Sequence, residues 1–132
     1  MTNYDYDVMF IGSGHANWHA AVALTQAGKK VVLIEKDLIA GTCTNYGCNA
    51  KILLDGAADV IHQAAAYQKK GLAGNLKINW PKLMAYKHET IDPIHQLLEQ
   101  QFAAAGVDVV KGVASFVDQH TVIVDEKQIT AT

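Results

Sequence analysis

Half of the 132 residues are hydrophobic, 18% are charged and the formal net charge is −2. That balance suits one globular domain with its own core, and it excludes a disordered chain or several full domains within this length. All 11 basic residues are Lys, so no Arg fork is available for carboxylate or phosphate, and the 13 acidic residues leave no basic footprint for nucleic acid.

In chain order, Val8 to Ile11 is a short apolar run ending at Gly12 and reads as a fully buried strand. Gly12-Ser13-Gly14 is a turn. From His15 to Ala27 the residues are mostly small and apolar, which predicts a helix packed closely on a sheet and stopped by Gly28. Val31 to Ile34 is a second buried strand ending at Glu35. Together these elements make one βαβ unit with a right-handed crossover. Residues 37–48 read as a loop holding Gly41, both cysteines and Gly47. A helix is predicted from about Ala50 to Tyr67, followed by a loop over 69–79 in which Lys69-Lys70 is a solvated turn. Pro81 opens another helix, whose apolar stripe is Leu83, Ile91, Ile94, Leu98 and Phe102; Pro93 is expected to kink or divide it. After Gly106 the period becomes strand-like. Val107 to Val110 is a third strand, and Ser115 to Val117, Thr121 to Val124 and Gln128 to Thr130 form an antiparallel meander. There is no internal repeat, no low-complexity segment and no apolar run long enough to span a bilayer. Asp5 and Asp7 replace the Lys/Arg-led start of a secretory leader, which points to a cytoplasmic chain.

Two stretches carry chemistry. Gly12-x-Gly14 follows a strand and opens a helix. The first glycine allows the tight turn and the second lets the backbone approach a pyrophosphate, which the free N–H groups and positive end of the helix then hold. Glu35 is placed to accept from a ribose diol, and a carboxylate there disfavours a 2′-phosphate, so FAD or NAD is expected rather than NADP. The third glycine of the fingerprint is Asn17, a departure from the pattern. The competing reading is a glycine turn needed only for packing.

The second stretch is Gly41-Thr42-Cys43-Thr44-Asn45-Tyr46-Gly47-Cys48-Asn49-Ala50-Lys51. Residues five apart on one ideal helix have Cα atoms roughly 8–9 Å apart, whereas a disulfide needs less than about 7 Å. If the pair is oxidised, the Cys43 end lies off a regular helix, with Asn45 and Gly47 suited to the distortion. Cys48 near a helix start, with Lys51 one turn on, would have its thiolate stabilised. A redox couple, two buried thiols and a plain stabilising bridge all remain open at this point. Structural zinc would need a second Cys pair, and none exists. His15 and His19 have a metal-gripping spacing but no third ligand, so no metal is expected.

These residues resemble the class I pyridine nucleotide–disulfide oxidoreductases, which include glutathione reductase, dihydrolipoamide dehydrogenase and mercuric reductase. The resemblance rests on the glycine turn, the acidic end of the second strand, and Ala40-Gly41-Thr42-Cys43-Thr44-Asn45-Tyr46-Gly47-Cys48 against the family's Gly-Gly-Thr-Cys-x-Asn-x-Gly-Cys. Gly112 to Asp118 is similar to the family's turn beside the adenine. The implied fold is α/β: a Rossmann-like, three-layer FAD-binding domain with a β-meander, incomplete in this chain. The resemblance implies that Gly12, Gly14 and Glu35 hold FAD, that Gly41 and Thr42 line its pyrophosphate, that Ala114 touches the adenosine end through its backbone, and that Lys51 sits near the flavin's reactive edge. Cys48 would face the flavin and Cys43 would attack the substrate disulfide.

The implied activity is an FAD-dependent NAD(P)H:disulfide oxidoreductase, with electrons passing from NAD(P)H to FAD to Cys43–Cys48 to an external disulfide. Lys51 lies three residues after Cys48, as in glutathione reductase-like members. The lipoamide branch has Pro-Ser-Lys, where this chain has Ala50, Lys51 and Ile52. Dihydrolipoamide dehydrogenase and a non-catalytic nucleotide-binding module are the alternatives. By this reading residues 1–132 are the N-terminal FAD-binding portion, lacking the NAD(P)-binding and dimerisation domains and unable to turn over alone. The intact enzyme would be a homodimer acting on a small or protein-bound disulfide, with no nucleic acid or membrane partner.

Overall fold

The computed structural model describes residues 3–132. Three parallel strands, β1 (Val8–Ile11), β2 (Val31–Glu35) and β3 (Asp108–Lys111), form a sheet in the order β1-β2-β3. Val8 pairs with Val31 and Ile11 with Ile34, while Val32 pairs with Asp108 and Glu35 with Lys111. All five residues of the central β2 are buried. Its alternating side chains serve two cores, as the period of a strand requires. Val31 and Leu33 join Ala21, Leu98, Phe102 and Val107 on one face, whereas Val32 and Ile34 join Val122, Val124 and Ile129 on the other.

The first face is covered by α1 (His15–Gln26) and α4 (Trp80–Ala105). The second is covered by the antiparallel meander β4 (Ser115–Phe116), β5 (Thr121–Val124) and β6 (Lys127–Thr130). The expected three layers are therefore present. The β5–β6 turn places Asp125 and Glu126 at φ 44° and 68°, the paired left-handed residues that a two-residue hairpin needs. Tyr6 bridges to Ala131, and the Asp5 carboxylate accepts from the Thr130 amide and hydroxyl, so the N-terminal segment is tied to the meander.

Several sequence expectations shift. β1 is not fully buried: Val8, Met9 and Phe10 are half-buried and Ile11 is exposed, because β1 is an outer strand of the described sheet. The loop expected over 37–48 contains a short helix, α2 (Gly41–Asn45), and α3 (Cys48–Gln68) begins two residues before Ala50. α4 runs unbroken through Pro93. Pro93 is exposed, so water can serve the carbonyl that it leaves without a donor, while Ile91, Leu98 and Phe102 stay in the core. α4 is capped by Asn79, whose side chain accepts from the Lys82 amide at 3.2 Å.

Candidate functional site

The carboxyl ends of the parallel strands and the start of α1 surround the glycine turn. Gly12 adopts φ +89°, a conformation open to glycine at little cost, and its amide donates to the Ile34 carbonyl at 2.7 Å. Ser13 is fully buried. Its amide and hydroxyl both donate to Glu35 Oε2, at 2.8 and 2.6 Å, and its Oγ accepts from the Ala40 amide at 3.1 Å. Gly14 caps α1 with ordinary φ (−66°), and a Cβ built there would meet nothing within 4 Å. No side chain caps the helix, so the His15 and Ala16 amides have no intrahelical acceptor. This open space beside unpaired donors at a positive helix end fits a phosphate group.

Next to the turn is a cleft of about 330 Å³ lined by Gly12, Glu35, Lys36, Val113 and Ala114, among others. It lies outside the carboxyl ends of the strands, where α/β sheets bind their ligands. Glu35 borders it but is not a free ribose acceptor. Oε2 takes both Ser13 bonds and Oε1 accepts from the Asp37 amide at 3.0 Å. A carboxylate offers about four acceptor positions, so at most one remains for a ribose hydroxyl. Burial pushes the Glu35 carboxyl up, but the Ser13 hydroxyl, the Ser13 amide and the Asp37 and Lys36 amides outweigh it and hold its pKa below the ordinary value.

The cysteine stretch is packed directly on this turn. Ala40 and Gly41 both lie in the left-handed region, at φ 80° and 69°. A Cβ on Gly41 would stand 2.7 Å from Gly14 Cα and 3.2 Å from Gly14 N, so only glycine fits against the glycine turn. The buried Asn45 donates from Nδ2 to the Ile39 and Gly41 carbonyls, at 2.8 and 3.0 Å, and staples α2 together; its Oδ1 is buried without a partner. Asn45 therefore stabilises the helix rather than supplying the distortion. The chain bends at Tyr46 and Gly47 instead. A Cβ on Gly47 would lie 3.1 Å from the Thr42 carbonyl oxygen and 3.2 Å from Cys43 Cα, which shows how closely the two cysteine segments approach.

Cys43 is half-buried on α2 and Cys48 is exposed at the first position of α3; both are free thiols. The expected stabilisation of the Cys48 thiolate is reversed in net direction. A hydrogen bond with Cys43, then charge repulsion from it and then burial push the Cys48 thiol up, against the pull of Lys51 and of its own amide. The helix start and Lys51 act in the expected sense, but the neighbouring sulfur dominates.

The expected site residues thus form two connected groups. Gly12, Glu35 and Ala114 line the cleft. Gly14 and Gly41 join the turn to α2, and Cys43 on α2 is brought beside Cys48 by the bend at Gly47. Thr42 is exposed on α2, with its carbonyl accepting from the Tyr46 and Gly47 amides, and Lys51 is exposed one turn along α3. His15 donates to or accepts from Thr44 Oγ1 at 3.1 Å, Trp18 packs on the core and stacks on His19 at 3.5 Å, and the Tyr46 hydroxyl donates to Asp37 at 3.2 Å. Sequence reasoning did not identify Ser13 as a hub or Asn17 as a bonding partner of the turn. A small hydroxyl residue between the two glycines was the one available signal for Ser13.

Fold and site together define a Rossmann-like α/β domain whose glycine turn is packed against a segment bearing two thiols. The model of the pyridine nucleotide-disulphide oxidoreductase family matches residues 6–132, and the chain belongs to this family. Members of the family are FAD-dependent and use NAD(P)H. The chain is 33% identical over 118 residues to dihydrolipoyl dehydrogenase of Bacillus subtilis (strain 168), covering 87% of this chain and 26% of that protein. It is 32% identical over 131 residues to glutathione reductase of Nostoc sp., covering 97% and 28% respectively. It is 31% identical over 131 residues to mercuric reductase of Bacillus cereus, covering 98% and 21%. The chain therefore spans about a quarter of the length of these curated relatives.

Proposed function

We propose that this chain is the FAD-binding, thiol-bearing portion of an NAD(P)H-dependent disulfide reductase. The observation that carries the reading is the backbone contact between Gly14 of the phosphate turn and Gly41 at the head of the cysteine helix. It makes the nucleotide turn and the thiols one site. Gly12 and Gly14 admit the pyrophosphate, the first-turn amides of α1 hold it, Gly41 and Thr42 border it, Ala114 faces the adenosine, and Glu35 offers its remaining acceptor position to the ribose. Lys51 is assigned to the flavin's reactive edge. When bound, FAD supplies the ring that takes hydride from NAD(P)H and returns the electron pair to sulfur.

The sulfur chemistry belongs to Cys43 and Cys48. As a thiolate, Cys43 attacks one sulfur of an external disulfide, forming a mixed disulfide and expelling the other half as a thiolate that takes up a proton. Cys48, deprotonated in turn, attacks Cys43 and releases the second half as a thiol. The substrate gains two electrons and two protons, and the chain retains a Cys43–Cys48 bridge. The close approach of the two cysteine segments at Gly47 supports the second step.

A glutathione reductase-like substrate is favoured by Lys51 three residues after Cys48. The dihydrolipoamide alternative is supported by similarity to the Bacillus enzyme but lacks the Pro-Ser-Lys pattern at Ala50 and Ile52. The same proposal places the NAD(P)-binding and dimerisation parts outside residues 1–132, with a cytoplasmic, homodimeric whole enzyme and no membrane or nucleic acid partner. No helix among the described residues is long and apolar enough to cross a membrane.

The test is FAD titration of the purified chain by flavin fluorescence, with peptide mapping after mild oxidation. Saturable FAD binding, one Cys43–Cys48 link and a long-wavelength flavin band on mild reduction are expected. A chain that binds no FAD and forms no such link would overturn the proposal. Disulfide-dependent NAD(P)H oxidation by residues 1–132 alone would contradict the assigned division of labour.

A further inference from the structure

Asn17 occupies the position where the dinucleotide fingerprint places its third glycine, a residue kept small so that helix and strand can pack closely. The side chain is instead put to use. Asn17 lies in the first turn of α1, and its Nδ2 donates to the Ile11 carbonyl and to the Gly12 carbonyl, each at 2.9 Å. A primary amide nitrogen has two N–H groups, and both are engaged.

These two carbonyls belong to the peptide units on either side of Gly12, and the opposite ends of those units are also held. The Gly12 amide donates to Ile34 at 2.7 Å, and the Ser13 amide donates to Glu35 Oε2 at 2.8 Å. Each peptide plane is thus fixed at its oxygen and at its nitrogen. With both carbonyls facing Asn17, neither dipole points its negative end into the space above Gly14, where a Cβ would meet nothing within 4 Å.

We propose that Asn17 is a positioning residue that holds the glycine turn in its anion-accepting shape before the nucleotide arrives. With glycine at 17 the two carbonyls lose their donor, and rotation of either peptide unit carries an oxygen toward the phosphate and breaks the bond of its amide to Ile34 or to Glu35. The cost of ordering the turn then falls on binding. This inference rests on the reading that the turn receives the pyrophosphate of FAD.

The test compares the full chain with Asn17→Gly and Asn17→Asp, the second having the same shape but a carboxylate in place of the donor. Amide hydrogen exchange without ligand is followed over residues 11–16, with residues 121–130 as internal reference, and FAD affinity is measured well below either variant's Tm. Loss of two hydrogen bonds predicts roughly tenfold or greater weakening of FAD binding in Asn17→Gly. Asn17→Asp should weaken it further, and both variants should exchange faster over 11–16 alone. Unchanged exchange overturns the inference even if FAD binds. A lower Tm or faster exchange with unchanged FAD affinity also overturns it, because Asn17 would then serve stability only. Failure of the unaltered chain to bind FAD sinks the functional reading and the nucleotide half of this inference with it, while the exchange measurement still decides whether Asn17 holds the turn.

Discussion

Gly14 and Gly41 touch, yet substitution of each by alanine should have opposite consequences. In Gly14→Ala the backbone is already at φ −66° and the new Cβ enters empty space. Alanine is a poorer helix cap than glycine by about 0.5–1 kcal/mol, and the stiffer unfolded chain returns about 0.4–1 kcal/mol. Stability should therefore change by less than ~1 kcal/mol, or about 3–5 °C in Tm for a chain of this size. The methyl group nevertheless fills the space assigned to the pyrophosphate. Losing two charge-assisted amide bonds, at about 1.5–3 kcal/mol each, weakens FAD binding at least ~100-fold.

Gly41→Ala combines a left-handed φ of 69° with a Cβ 2.7 Å from Gly14 Cα. The conformation costs about 1–2 kcal/mol, and forcing two backbones apart about 1–3 kcal/mol more. The total of roughly 2–5 kcal/mol lowers Tm by about 6–25 °C. Differential scanning fluorimetry and FAD titration measure both substitutions. Undiminished FAD affinity in Gly14→Ala would remove the pyrophosphate from this turn. A Tm within a few degrees of the unaltered chain in Gly41→Ala would refute the tight packing of the cysteine helix on it.

Three further outcomes follow from the site. Cys43→Ala removes the main causes that raise the Cys48 thiol, so its apparent pKa should fall, whereas Lys51→Met should raise it. Alkylation rate against pH reads both, and movement in the opposite sense would refute the assigned causes. Gly47→Ala places a Cβ 3.1 Å from the Thr42 carbonyl oxygen and 3.2 Å from Cys43 Cα, so it should separate the cysteine segments and slow bridge formation under mild oxidant. An unchanged rate by thiol titration would count against this geometry. Because the folded pKa of Glu35 is depressed below its ordinary 4.5, its contribution to stability is present above that pH and fades as pH falls through the folded value. Glu35→Gln should cost roughly 1–3 kcal/mol at neutral pH and flatten the acid dependence of Tm; parallel acid profiles would show that the carboxylate does not stabilise the turn.

Much of the architecture is legible in the residues because it is local. Apolar runs at Val8 and Val31, the small-residue helix ended by Gly28, and the Thr121 to Thr130 hairpin each declare themselves through periodicity or turn chemistry. The cysteine motif is equally plain. The short helix over 41–45 is not, because five residues carry no usable period and depend on the Asn45 side chain to close them. Nor is the exposure of β1, which follows from its outer place in the described sheet.

The order of residues determined which chemical groups exist: two glycines at a strand end, an acid closing the next strand, and a pair of thiols five residues apart. Their working relationships were decided only when the chain folded. Ser13 reaches Ala40 across 27 positions, Gly41 rests on Gly14, Glu35 turns inward to secure the turn, and Cys43 reverses the net titration shift of Cys48. Periodicity and backbone preference act over a few residues, whereas contact distances and mutual electrostatic influence between distant segments arise from packing.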